Sequence, residues 1–370
     1  MTERPFLHYA AEVSLYSGKT RAYLRYRDVP FREVPPTLGV YRKVIVPNVG
    51  RPIIPVLQTP EGEILQDTTV IIDALEARLG PSVYPTTPAQ RLVALLFELY
   101  GDEWLVMPAM HYRWHFKREN LAFILREFGE AGGADAPKWV RPLFGVIPAL
   151  VFGGQYARYF GISRRNWSAL EGSYEGFLRD FDAHLAVHPY LLGTRPSIGD
   201  FGLVAPLYAH LYRDPAPGKL MRAIAPNVAR WVERMQHPPT PNRGAFLDDD
   251  AIPPTLDPML RRMFTEQLPV LVDTVAKTDA WSRAHPSEER VPRVIGAHRY
   301  RLGDVEEERA VTPYSQWMFQ RALDAYAALD EATKARVDPW LHELGGLPGL
   351  ATPVPTRVAY RRHRVVVDRG

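Results

Sequence analysis

Thirty residues near the start of the chain constrain its fold more than any others: Arg51 to Gly80, RPIIPVLQTPEGEILQDTTVIIDALEARLG. Two short apolar runs, IIPVL and EIL, flank TPEG, a turn built on Pro and Gly, so the segment predicts a β-hairpin. From Asp67 onward the apolar positions Val70, Ile71, Leu75 and Leu79 recur at helical spacing, and Gly80 followed by Pro81 stops the helix. Pro55 stands inside the first run although it has no N–H to give to a sheet ladder. It is either an edge-strand proline or half of a cis Ile54–Pro55 bond that turns the Ile54 backbone out of the sheet, and the residues alone leave these two evenly matched.

Upstream, Phe6 to Ala10 reads as a buried strand, Gly18 to Arg27 as a helix and FREVPP as a more exposed strand. Residues 1–80 thus run strand, helix, strand, break, hairpin, helix. PSVYPTTP, residues 81–88, is a proline-punctuated linker. Residues 89–244 are helical in pattern through AQRLVALLFELYGDEWLVMPAMHYRWHF, with a kink expected at Pro108, then SALEGSYEGFLRDFDAHLAVH, SIGDFGLVAPLYAHL and NVARWVERMQ. After Pro238 the chain turns rich in Pro and Asp, which reads as an irregular connection. Residues 245–370 predict an apolar helix from Met259 to Val275, a hairpin turning at Gly303-Asp304, and a helix in SQWMFQRALDAYAALDEAT. The end, YRRHRVVVDRG, alternates Arg and Val as a half-exposed strand does.

Composition removes several function classes. At 370 residues and 46% hydrophobic, the chain can bury at least one substantial core, and its length suggests two or three domains. It has no cysteine, which excludes disulfides, thiolate zinc sites and a cysteine nucleophile. A net charge of +3 makes no strong field for nucleic acid, and no nucleic-acid partner is expected. MTERPFLHYA lacks a charged start followed by an apolar core, so a cytoplasmic location is expected. The most apolar segment, Pro142 to Gly154, is shorter than the roughly 20 residues a bilayer span needs. It reads as a buried or partner-facing connection, without stable membrane insertion.

IIPVLQTPEGEILQDTTVII, together with HPYLLGTRPSIGDFGLVAPL from His188 to Leu207, resembles the glutathione transferase family. The resemblance is carried by residues 6–80 and 189–211 and has no counterpart beyond about residue 245. It implies a thioredoxin-like α/β domain (1–80), a linker (81–88), an all-helical domain (89–244) and a C-terminal extension (245–370), mainly helical with a β-hairpin. It also implies a cis Ile54–Pro55 bond, with the Ile54 backbone meeting the cysteinyl part of glutathione. Asp67-Thr68 would hold the γ-glutamyl end, in a place where members more often have Glu-Ser or Gln-Thr. Lys43 and Arg51, with Arg42, would meet the glycine carboxylate. Ser197 and Asp200 form a capping-box pattern with Asp in place of Glu, so they are expected to fold the helix and not to catalyse.

Members of this family activate the thiol of bound glutathione, because the thiolate is the nucleophile. Four hydroxyls compete near the first helix: Tyr9, Ser14, Tyr16 and Ser17. Laid on the serine-type, theta-like members, Ser14 keeps its distance to Pro30 without a gap, whereas Tyr9 laid on the tyrosine classes needs one inserted residue. Ser14 therefore ranks first and Tyr9 second, Ser17 is expected to cap the helix, and Tyr16 to line the cleft. An apolar wall for an electrophilic co-substrate would come from Trp104, Met107, His111 and Trp114, although core packing explains most of these residues equally well. His111 and His115 lie one helical turn apart, but no third ligand has a fitting spacing, so no metal is expected. The expected activity is conjugation of glutathione to an apolar electrophile, a detoxification chemistry, by a homodimer. The alternative is a non-catalytic protein that keeps the fold for binding or scaffolding.

Overall fold

The computed structural model describes residues 4–239 and 244–369. The chain opens with β1 (Phe6–Tyr9), α1 (Leu15–Tyr26) and β2 (Phe31–Val34). Short helical pieces α2 (Leu38–Val40) and α3 (Val46–Val49) follow, then β3 (Val56–Gln58), β4 (Ile64–Gln66) and α4 (Thr68–Leu79). The strands form one mixed sheet in the order β2-β1-β3-β4, with β1 parallel to β2 and antiparallel to β3, and β4 antiparallel to β3. This is the thioredoxin-like arrangement expected. Its core is made by Val56, Leu57, Ala22, Tyr23, Leu24, Ile71, Ile72 and Leu75, all without exposed surface. Tyr9, Ile45, Val49 and Val56 form a cluster packed against Ile53, Ile54 and Ile64.

A helical region follows: α5 (Pro88–Glu103), α6 (Val106–His115), α7 (Lys117–Gly132), α8 (Arg141–Tyr159), α9 (Trp167–Leu185), α10 (Ile198–Ala209), α11 (Pro215–Ile224) and α12 (Pro226–Gln236). The break expected at Pro108 comes earlier. The amides of Trp104 and Leu105 both reach the Tyr100 carbonyl, and Pro108 stands in the first turn of the next helix, where its missing N–H leaves no bond unmade. The Asp200 half of the expected capping box is formed: Asp200 Oδ2 accepts from the Ser197 amide at 2.8 Å and its hydroxyl at 2.9 Å, while Oδ1 accepts from the Leu191 amide. Along α8, Leu143, Ile147 and Leu150 are about 70% exposed, so these side chains form an apolar surface and are not buried. Among the described residues no helix is long and apolar enough to cross a membrane.

The remainder comprises α13 (Asp257–Glu266), α14 (Leu268–Ala284), the hairpin β5 (Ala297–Leu302) with β6 (Val305–Ala310), α15 (Pro313–Ala327), α16 (Glu331–Leu344), α17 (Leu347–Leu350), and the hairpin β7 (Val358–Arg361) with β8 (Arg364–Val367). The single helix expected from Met259 to Val275 is two, divided at Gln267, because Pro269 is accommodated only in the first turn of a new helix. The β5–β6 hairpin turns at Gly303, whose φ of 57° suits a two-residue loop.

Two compact units emerge: Met1–Ser82 with Ala109–Tyr156 and Leu203–Arg243, and Val83–Pro108 with Ala157–Gly202 and Gly244–Gly370. In the second, α15 packs along α5, and Asp250 accepts from the Ala89 and Gln90 amides at 3.0 and 2.9 Å. A carboxylate from far along the chain thus caps α5, where the Thr87 hydroxyl donates to Gln90 Oε1 and makes no cap bond to the helix backbone.

Candidate functional site

The sheet register gathers the candidate residues of the first unit. Tyr9 pairs with Val34 on one side and Val56 on the other, and Val56 pairs with Gln66. The ends of β1, β2 and β4 and the start of β3 therefore share one edge. The turn after Tyr9, the Ile54–Pro55 peptide and Asp67 all follow or precede strands at that edge. Both α1 and α4 begin there, and helix N-termini offer unpaired N–H groups and partial positive charge. Such an edge suits a ligand with carboxylates and a developing anion.

Ser14 is the N-cap of α1, in extended conformation and half-buried. Its Oγ accepts from the Ser17 amide at 3.3 Å, which leaves its own proton to donate. Ser17 is not the cap expected of it, because α1 starts at Leu15 and not at Gly18. Fully buried in the first turn, its Oγ accepts from the Ala11 amide at 3.4 Å and ties the turn together. Tyr9 is 5% exposed, and its hydroxyl donates to Gln58 Oε1 at 2.9 Å. Burial pushes this phenol above its ordinary pKa. Tyr16 is half-buried on α1.

The Ile54–Pro55 peptide is cis, with Ile54 half-buried and Pro55 buried. Asp67 caps α4, its Oδ1 accepting from the amides of Thr69 at 3.0 Å and Val70 at 3.4 Å, and Thr68 lies buried behind it. Asp67 holds φ at +86°, a conformation that costs a residue with a Cβ on the order of 1–3 kcal/mol. Arg51 donates from Nη2 to Gln66 Oε1 at 3.4 Å, beside Asp67 in sequence, while Arg42 and Lys43 are exposed on the segment between α2 and α3.

The four apolar-wall candidates fall in different places. Trp104 and Met107 belong to the second unit. The Trp104 indole donates to Glu266 at 3.2 Å beneath the Arg309 guanidinium, and the Met107 sulfur lies 3.5 Å from the Tyr300 hydroxyl, which donates to the Gly161 carbonyl at 2.8 Å. His111 and Trp114 belong to the first, where Trp114 stacks on Phe128 and His111 Nδ1 lies 3.1 Å from His115 Nδ1. All four are nearly wholly buried. Burial, then the His111 ring, push His115 down to about 4.

Two buried charge networks in the first unit were not singled out from the sequence. Arg21 donates from Nε and Nη2 to both oxygens of Glu33, which also meets His8. Arg113 pairs with Asp214 through two bonds of 2.7 and 2.6 Å, both side chains almost without exposure. The available signal was a lone cation inside the apolar run VMPAMHYRWHF, which requires a counter-ion if that run is buried.

Residues 9–82 match the family model of the glutathione S-transferase N-terminal domain, and residues 169–239 that of its C-terminal domain. The chain is similar to a solved glutathione S-transferase from Methylobacterium radiotolerans in complex with glutathione sulfonate, at 19% identity over 64% of this chain and 92% of that one, with a TM-score of 0.39. It is similar to the Tau class glutathione S-transferase of mango at 17% identity over 70% and 96%, with a TM-score of 0.41. A glutathione transferase of Phanerochaete chrysosporium is similar at 14% identity over 63% and 97%, with a TM-score of 0.44. No curated protein matches the chain in sequence. The two family-model matches support the glutathione transferase family.

Proposed function

We propose, on the premise that residues 9–82 and 169–239 are glutathione S-transferase domains, that the chain conjugates glutathione to an apolar electrophile. Ser14 is the group proposed to stabilise the thiolate. The observation that carries this choice is its hydroxyl at the N-terminus of α1, which accepts the Ser17 amide and keeps a proton to donate. A bond accepted from a helix N-terminus strengthens that donor, and the same positive end favours an anionic sulfur. Both effects lower the thiol pKa from its free value near 8.5. The thiol proton leaves to water, the thiolate forms a bond to the electrophilic carbon, and the leaving group departs with its electron pair. Tyr9 is the lesser candidate, because its proton is given to Gln58 inside the sheet.

Glutathione itself would lie along the sheet edge, with its cysteinyl backbone against Ile54 and Pro55, its γ-glutamyl end at Asp67-Thr68, and its glycine carboxylate near Lys43 and Arg51. Tyr16 would border the electrophile. The protein is read as a cytoplasmic homodimer that needs no metal.

Glutathione calorimetry with thiolate absorbance titration of the bound thiol tests the reading on wild type, Ser14→Ala and Tyr9→Phe. The expected result is binding by all three with a thiol pKa raised only in Ser14→Ala. No binding by wild type overturns the function. Binding without a lowered thiol pKa turns the reading to a non-catalytic glutathione-binding protein.

A further inference from the structure

The peptide between Val13 and Ser14 is held at both ends. Its N–H donates to the Ala11 carbonyl at 3.1 Å, and its carbonyl accepts from Arg113 Nη1 at 2.7 Å. Arg113, 100 residues away on α6 and 1% exposed, also gives Nη2 to the Ala209 carbonyl at 2.8 Å and grips Asp214 with Nε and Nη2. Asp214 occupies the N-cap position of α11 in extended conformation but makes no cap bond. Its two oxygens are committed to Arg113, so it serves as counter-ion and not as cap. His210, 4% exposed, lies beside the backbone of Ala109 and of Val13 itself.

We infer that Arg113 is a positioning residue: by fixing the Val13 carbonyl it sets the peptide plane from which Ser14 presents its hydroxyl to the sulfur of bound glutathione. The inference rests on the reading of Ser14 given above. The physical reason for arginine is the planar fork, which delivers bonds to a carboxylate and two carbonyls in fixed directions that an ammonium cannot reproduce. The Val13 side chain is itself buried, so the turn has one face in the core and one peptide pinned from behind. Ser14, like Glu12, is left half-exposed in the turn.

The test compares the full-length wild type with Arg113→Met/Asp214→Leu, which removes both buried charges together and strands neither. In the bound-thiol titration the double variant is expected to hold about tenfold less thiolate at a given pH, with glutathione affinity changed by less than a factor of about three. Wild-type thiol pKa in a variant that merely melts earlier overturns the inference and leaves Ser14 standing. If the double variant does not fold, Arg113→Lys takes its place, since one ammonium cannot serve Asp214 and Val13 at once. Amide hydrogen exchange at Ser14 in the free protein gives a readout independent of glutathione. Exchange should quicken about tenfold in the variant, as expected when a local opening is eased; unchanged exchange overturns the inference. Failure of wild type to bind glutathione counts against the proposed function alone.

Discussion

The hydroxyl of Tyr9 donates to Gln58 Oε1 at 2.9 Å across neighbouring strands, so the tyrosine that ends β1 is tied into the sheet. Tyr9→Phe should cost about 1 kcal/mol, the usual worth of a hydrogen bond whose acceptor keeps some other contact. Glutathione turnover should stay within about twofold of wild type. Chemical denaturation and steady-state rates measured together check this, and a rate loss beyond about a hundredfold without loss of stability would return Tyr9 to the catalytic role.

Glu33 and Arg21 predict how stability depends on pH. Burial acts to raise the Glu33 carboxyl, but the neighbouring His8 ring and the two hydrogen bonds from Arg21 hold it at about 2, below its ordinary 4.5. A carboxyl depressed on folding contributes stability that is present above its unfolded pKa and disappears as pH falls through the folded one. Thermal midpoints of wild type should therefore drop between about pH 4.5 and pH 2. Glu33→Gln should be less stable at neutral pH by about 2–3 kcal/mol and should lose most of that acid-limb step, because one partner of a largely buried pair has been removed.

Asp250 caps α5 from outside the helix, and Arg336 Nη2 binds the same carboxylate at 2.8 Å. Asp250→Ala should cost about 1–2 kcal/mol, the range for loss of an N-cap. Asp250→Asn, which keeps one acceptor oxygen, should cost about half as much. Urea midpoints for the pair, with amide exchange at Ala89 and Gln90, check that the loss is local to the α5 start.

Gly202 on α10 leaves no room for a methyl group. A Cβ there would stand 2.5 Å from the Glu98 Cα and 2.9 Å from the Glu98 carbonyl oxygen, both backbone atoms of α5. Gly202→Ala gains helix propensity of about 1 kcal/mol but must separate two packed helices, and overpacking costs about 1–3 kcal/mol or more. A net loss in denaturant midpoint is expected; a gain would mean that the helices part freely.

Much of the first 80 residues was legible in order. Short runs rich in apolar residues and the TPEG turn pointed to β1, β2 and the β3–β4 hairpin, because strand and turn signals are local. The capping box at Ser197 and Asp200 was legible for the same reason, since donor and acceptor lie three residues apart. Ser17 was misread because helix starts depend on which of several hydroxyls adopts extended backbone, and both Ser14 and Ser17 are suitable caps in sequence. Trp104, Met107, His111 and Trp114 follow helical spacing that a cleft wall and a packed interior share, and only burial distinguishes the two.

The sequence by itself determined the sheet-forming segments, the helix that follows Asp67, the absence of any protein thiol, and the short list of hydroxyls. Those follow from local sterics, periodicity and residue identity. Only the tertiary structure decided that Tyr9 gives its proton to Gln58 and that Asp250 caps a helix 160 residues earlier. It alone joined Arg113 to the carbonyl in front of Ser14. A buried polar group must find a partner, and nothing in the spacing of a sequence says which distant atom the folded chain will bring within 3 Å.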